Sequence, residues 1–143
     1  MAVTDVADRL YGITFRPQEL ALYGERVQFD LRYAAMFDDP SEVTERHFSL
    51  LVLEITAEIP ADEGLARNGG RMQLLKCGWE LERRADPAQQ VDTLPEAPGD
   101  VARLLERIAA TVNDLAGRAG LGAPLGPEVI TSLLHQYRTG ASR

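Results

Sequence analysis

The chain has 143 residues, 45% of them hydrophobic and 26% charged, the balance of an ordinary globular protein and too apolar for global disorder. Acidic residues outnumber basic ones by 22 to 15, a net charge of −7, which repels phosphate backbones and anionic lipid surfaces and argues against nucleic acid as a partner. The length suits one domain, residues 1–143, burying about two-thirds of the unfolded chain's surface in a single core.

MAVTDVADRL at the N-terminus lacks a basic start followed by an apolar core, and no run of about 18 apolar residues occurs, so neither a secretion signal nor membrane insertion is expected and the chain is placed in the cytoplasm. LYGITF, with Tyr11, Ile13 and Phe15 on one side, predicts a first, weak strand. FRPQELALYGE around Pro17 reads as a turn. RVQFDLRYA alternates Val27, Phe29, Leu31 and Tyr33 with Arg26, Gln28, Asp30 and Arg32, the pattern of a strand with one wet face.

After the turn DDPSE, HFSLLVLEITAEIP sets Leu51, Leu53, Ile55 and Ile59 against Glu54, Thr56 and Glu58. Its first half is apolar on both sides through Phe48, Leu50 and Val52, which implies a second cover over that face. PADEGLARNGG ends in Asn68-Gly69-Gly70, residues that tolerate positive φ. RMQLLKCGWELER then puts Leu75, Cys77, Trp79 and Leu81 opposite Lys76, Glu80 and Glu82. Connections this short favour antiparallel neighbours, and the reading is a four-stranded antiparallel meander over about residues 9–84.

Residues 85–100 hold three prolines and almost no apolar pattern, a linker across the surface. Past Asp100, a good N-cap, the period changes: Val101, Leu104, Leu105, Ile108, Val112 and Leu115 follow helical spacing, predicting a helix over about 101–118. A second helix over about 127–139 starts with Pro127 in its first turn and carries Val129, Ile130, Leu133, Leu134 and Tyr137. Strands followed by helices give an α+β fold. One apolar sheet face and two apolar helices leave few layers to cover them, so self-association is expected through the long helix, at Leu105, Ile108, Ala109, Val112 and Ala116.

Little in the chain suggests catalysis. The two histidines, His47 and His135, stand far apart without acid or cysteine at ligand spacing, whereas a structural zinc wants four nitrogen or sulfur ligands. Ser49, Ser132 and Ser142 have no nucleophile motif around them. Acids alternating along strands read as wet faces. Cys77, the single cysteine, has no disulfide partner and reads as a buried strand residue. The expectation is a non-enzyme without cofactor or metal.

The run GRAGLGAPLGPE, 117–128, does not match a phosphate loop, because its glycine spacing is wrong and a helical segment precedes it. Leu121 and Leu125 sit where a wholly exposed connection would be polar. Either they pin the connection onto the domain's own core or they rim an apolar groove for a partner.

The order of elements and several short stretches resemble the SecB family of protein-export chaperones. TVNDLAGRAGLGAPLGPEVITSLLHQY, 111–137, looks like that family's long-helix end, its loop of leucines and prolines, and the start of its last helix. GITF and LLKCGW look like two of its strands. The resemblance implies a nucleotide-independent holdase binding unfolded or partly folded polypeptide, possible service in protein export, and a homodimer or dimer of dimers. It also implies a polypeptide-binding groove built from Phe15, Leu121, Leu125, Val129 and Leu133. The acids through which family members dock on the export ATPase fall here on Gly12, Arg16 and Gly78, so that docking is not expected. The alternative is a dedicated adaptor or antitoxin-type chaperone with one specific protein partner.

Overall fold

The computed structural model describes residues 3–23, 26–37, 46–59, 70–85 and 100–139. The turns read at 38–42 and 60–69 and most of the proline-rich connection, 86–99, lie outside the described residues. The elements are β1 (Val3–Phe15), α1 (Pro17–Tyr23), β2 (Val27–Phe37), β3 (Arg46–Ile59), β4 (Gly70–Ala85), α2 (Asp100–Arg118) and α3 (Pro127–Thr139). The class is α+β, an antiparallel sheet followed by helices, as its two periodicities imply.

The strand order corrects the meander. It is β1-β4-β3-β2, so β2, β3 and β4 are consecutive neighbours while β1 pairs antiparallel with β4 at the far edge. The chain leaves β1 at one edge and enters β2 at the other, three strand spacings away, roughly 14 Å. Helix α1 lies in that connection. The sequence pattern indicates a turn there because the helix's seven residues give too few repeats for periodicity to register. Pro17 suits a first helical turn, where its missing N–H costs nothing, and Leu20 N–H donates to Arg16 O at 3.0 Å. Arg16 N–H donates in turn to Leu74 O at 2.8 Å, fastening the start of α1 to β4.

Leu51, Leu53 and Ile55 of β3, Leu75, Cys77 and Leu81 of β4 and Leu31 of β2 share one sheet face and are buried in one core with the apolar side of α2. In β4 the pairing skips Leu74: Ile55 faces Leu75 and Thr56 faces Gln73. This bulge turns Leu74 inward as well, so two successive residues reach the core. Without it one would face away, because strand side chains alternate sides.

Two expectations about exposure are corrected. Glu80 and Glu82, read as wet-face acids, are buried at 9% and 7% exposure. Their strand is interior, flanked by β1 and β3, and Arg9 of β1 reaches across to Glu80 at 2.7 Å. The five residues expected to join chains, Leu105, Ile108, Ala109, Val112 and Ala116, are all buried within this chain. The sheet and α3 together take up the apolar stripe of α2, leaving those side chains no surface for a second copy.

Candidate functional site: an apolar groove beside the 119–126 connection

Gly120 has φ of +79°, the left-handed conformation that only glycine adopts cheaply. It ends α2 with paired bonds: Leu121 N–H donates to Ala116 O at 2.9 Å and Gly120 N–H to Gly117 O at 3.1 Å. This is the Schellman arrangement, and it reverses the chain direction immediately after the helix. No other described residue has positive φ, so Gly122 and Gly126 are not needed for the reversal.

A second fastening follows five residues later. The side-chain amide of Asn113 in α2 donates from Nδ2 to Leu125 O at 2.8 Å and accepts Leu125 N–H on Oδ1 at 2.9 Å. Leu125 is thereby drawn into the core, 1% exposed. The two leucines left open by the sequence thus divide: Leu125 pins the connection, and Leu121, half-buried, faces an open groove.

The groove has a volume of about 370 Å³. Its floor is Ile55 of β3, one side is Val27 and Phe29 of β2, another is Leu20 and Ala21 of α1, and the last is Leu121, Gly122, Ala123 and Pro124. No charged side chain lines it. Val27 and Phe29 lie on an edge strand, whose outer side has no strand partner among the described residues. Ala21, Gly122 and Ala123 are exposed at the rim.

Of the residues expected to bind polypeptide, only Leu121 lines this groove. Phe15 and Val129 are half-buried against the core, and Leu133 is 3% exposed. Leu20 and Ala21 enter the groove through α1, where the sequence pattern indicates a turn, and alternation marks Val27 and Phe29 only as the apolar side of a strand. Their place on an edge strand could follow only from strand order.

The best-connected polar cluster among the described residues lies away from the groove. Asp8 of β1 accepts hydrogen bonds from Trp79 and Arg103, both at 3.1 Å, and Arg107 stands 3.4 Å away. The Trp79 bond, with the two guanidinium groups, outweighs partial burial and holds the Asp8 carboxyl below its usual range. Burial pushes the Cys77 thiol up to about 11, so it stays protonated at neutral pH and is a poor nucleophile. Among the described residues no group of three or more His, Cys, Asp or Glu side chains is placed to hold a metal, and no helix is long and apolar enough to cross a membrane.

No protein-family model and no curated protein matches this chain. Among solved structures it is similar to the Mycobacterium tuberculosis Rv1957 SecB-like chaperone in complex with a ChAD peptide from the Rv1956 HigA1 antitoxin. The identity is 17% over 85% of this chain and 86% of that one, with a TM-score of 0.44.

Proposed function

We propose that this chain is a SecB-like, nucleotide-independent chaperone that holds apolar segments of non-native polypeptide in the groove between α1, β2 and the 119–126 connection. The observation that carries the reading is the groove's composition: nine lining residues, all apolar or glycine, open at the rim. Such a lining gives affinity by apolar burial without demanding a particular polar partner. The neighbouring edge of β2 offers backbone donors and acceptors to an extended chain, a recurring mode of peptide recognition. The resemblance of 111–137 to the SecB family supports the same reading from the sequence side. Gly12, Arg16 and Gly78 bring no carboxylate to the positions that docking on the export ATPase would need.

The test is breadth of client binding. The chain, without nucleotide, should suppress aggregation of several unrelated chemically unfolded proteins, and Leu121→Ser or Phe29→Ser should weaken that suppression while leaving the fold intact. Suppression of none of them, together with recovery of one specific partner in a pull-down, would replace the holdase with a dedicated adaptor.

A further inference from the structure

Between the cap at Gly120 and the start of α3, one side chain ties the connection to the rest of the fold through both of its polar groups. Asparagine is a poor helix former, because its amide competes for backbone hydrogen bonds, yet Asn113 sits inside α2. There its amide is spent on Leu125, matching that residue's N–H and C=O in the way a neighbouring strand would. The segment is held at three places: Leu121 to Ala116 at 2.9 Å, Leu125 to Asn113, and Gly126 O to Ile130 N–H at 3.1 Å. Only Gly122, Ala123 and Pro124 lie between the first two, and all three line the groove.

We infer that Asn113 is a positioning residue for polypeptide binding: by clamping Leu125 it sets the groove wall in place before any client arrives. The inference rests on the groove being the polypeptide site. Asn113 does not itself line the groove, so it acts through the segment it holds. A wall ordered in advance spares the binding step the cost of ordering it. Without the clamp, the wall would be ordered at the expense of affinity.

The experiment compares wild type with Asn113→Leu, which keeps the side chain's size and loses both hydrogen bonds, and with Val101→Ala. Val101 is buried at the opposite end of α2, so its truncation lowers stability and leaves the clamp intact. The probe is reduced, carboxymethylated α-lactalbumin, a permanently unfolded chain, with affinity followed by fluorescence polarisation and amide exchange followed at residues 121–125. Asn113→Leu should bind about tenfold more weakly, equivalent to ~1.4 kcal/mol, and exchange faster at 121–125, while Val101→Ala keeps wild-type values in both. Asn113→Asp retains the acceptor for Leu125 N–H but cannot donate at neutral pH. It should lose part of the affinity, and it supplies the same readout if Asn113→Leu does not fold. Wild-type affinity in the Asn113 variants, or an equal loss in Val101→Ala, overturns the inference and leaves the groove reading standing. Failure of the wild-type chain to bind the probe removes the groove reading and this inference with it.

Discussion

The indole N–H of Trp79 donates to Oδ1 of Asp8 at 3.1 Å, across the β4–β1 boundary. The same carboxylate takes Arg103 at 3.1 Å and Arg107 at 3.4 Å from α2, so one side chain joins the edge strand, an inner strand and the long helix. Asp8→Ala leaves the indole N–H and two arginines without this acceptor and should cost about 1–3 kcal/mol of unfolding free energy. The folded-state pKa is depressed, so the contribution is present above the ordinary carboxyl value of 3.8 and fades as pH falls through the folded value. Urea unfolding at a series of acidic pH values should show a shallower loss of stability in Asp8→Asn than in wild type. Parallel curves would assign the acid sensitivity to other carboxylates.

Leu121 and Leu125 should separate on substitution although only three residues lie between them. Leu125→Ala empties a fully enclosed site and should lower stability by about 2–5 kcal/mol. Leu121→Ala removes a half-buried side chain, so its effect on stability should be a fraction of that and its effect on client affinity the larger of the two. Thermal melts and client titrations on the same two proteins check the division.

The three glycines of the connection should respond unequally. Gly120→Ala forces an L-residue into the left-handed region and should destabilise by about 1–2 kcal/mol, by the backbone conformation alone, since nothing lies within 4 Å of the added Cβ. Gly122 and Gly126 have no positive φ and equally open surroundings. Alanine at either should be neutral or stabilise by up to about 1 kcal/mol through the unfolded state. Equal losses at all three would contradict the conformational account.

Self-association, if it follows the dimer or dimer of dimers that the resemblance implies, has to use a surface other than the buried stripe of α2. Leu10 and Tyr11 are 41% and 65% exposed on β1, an edge strand with an irregularity in its pairing between Leu10 and Gly12. Light scattering at micromolar concentration should report more than one chain, and Leu10→Lys with Tyr11→Lys should shift the mass toward the monomer, since lysine on an edge strand opposes pairing. A wild-type monomer would remove the expectation.

Alternation in RVQFDLRYA and HFSLLVLEITAEIP, and the 3.6-residue spacing from Val101 to Leu115, determined strands and helices by themselves, because each residue's side is set by the few residues around it. The end of α2 was legible for the same reason: Gly120 sits where a helix stop needs positive φ. Strand order was not legible, because β1 meets β4 through pairings such as Ile13 with Cys77, 64 positions apart, which no local pattern encodes. From that order follow the burial of Glu80 and Glu82 beside Arg9, the edge position of Phe29, and the route of the chain through α1 that closes one side of the groove. Apolar spacing likewise told that Leu105, Ile108 and Val112 must be covered, and only the packed structure decided by what. Hydrophobic burial has no direction of its own, so a stripe satisfied by its own sheet and one satisfied by a second copy look alike until the chain is folded.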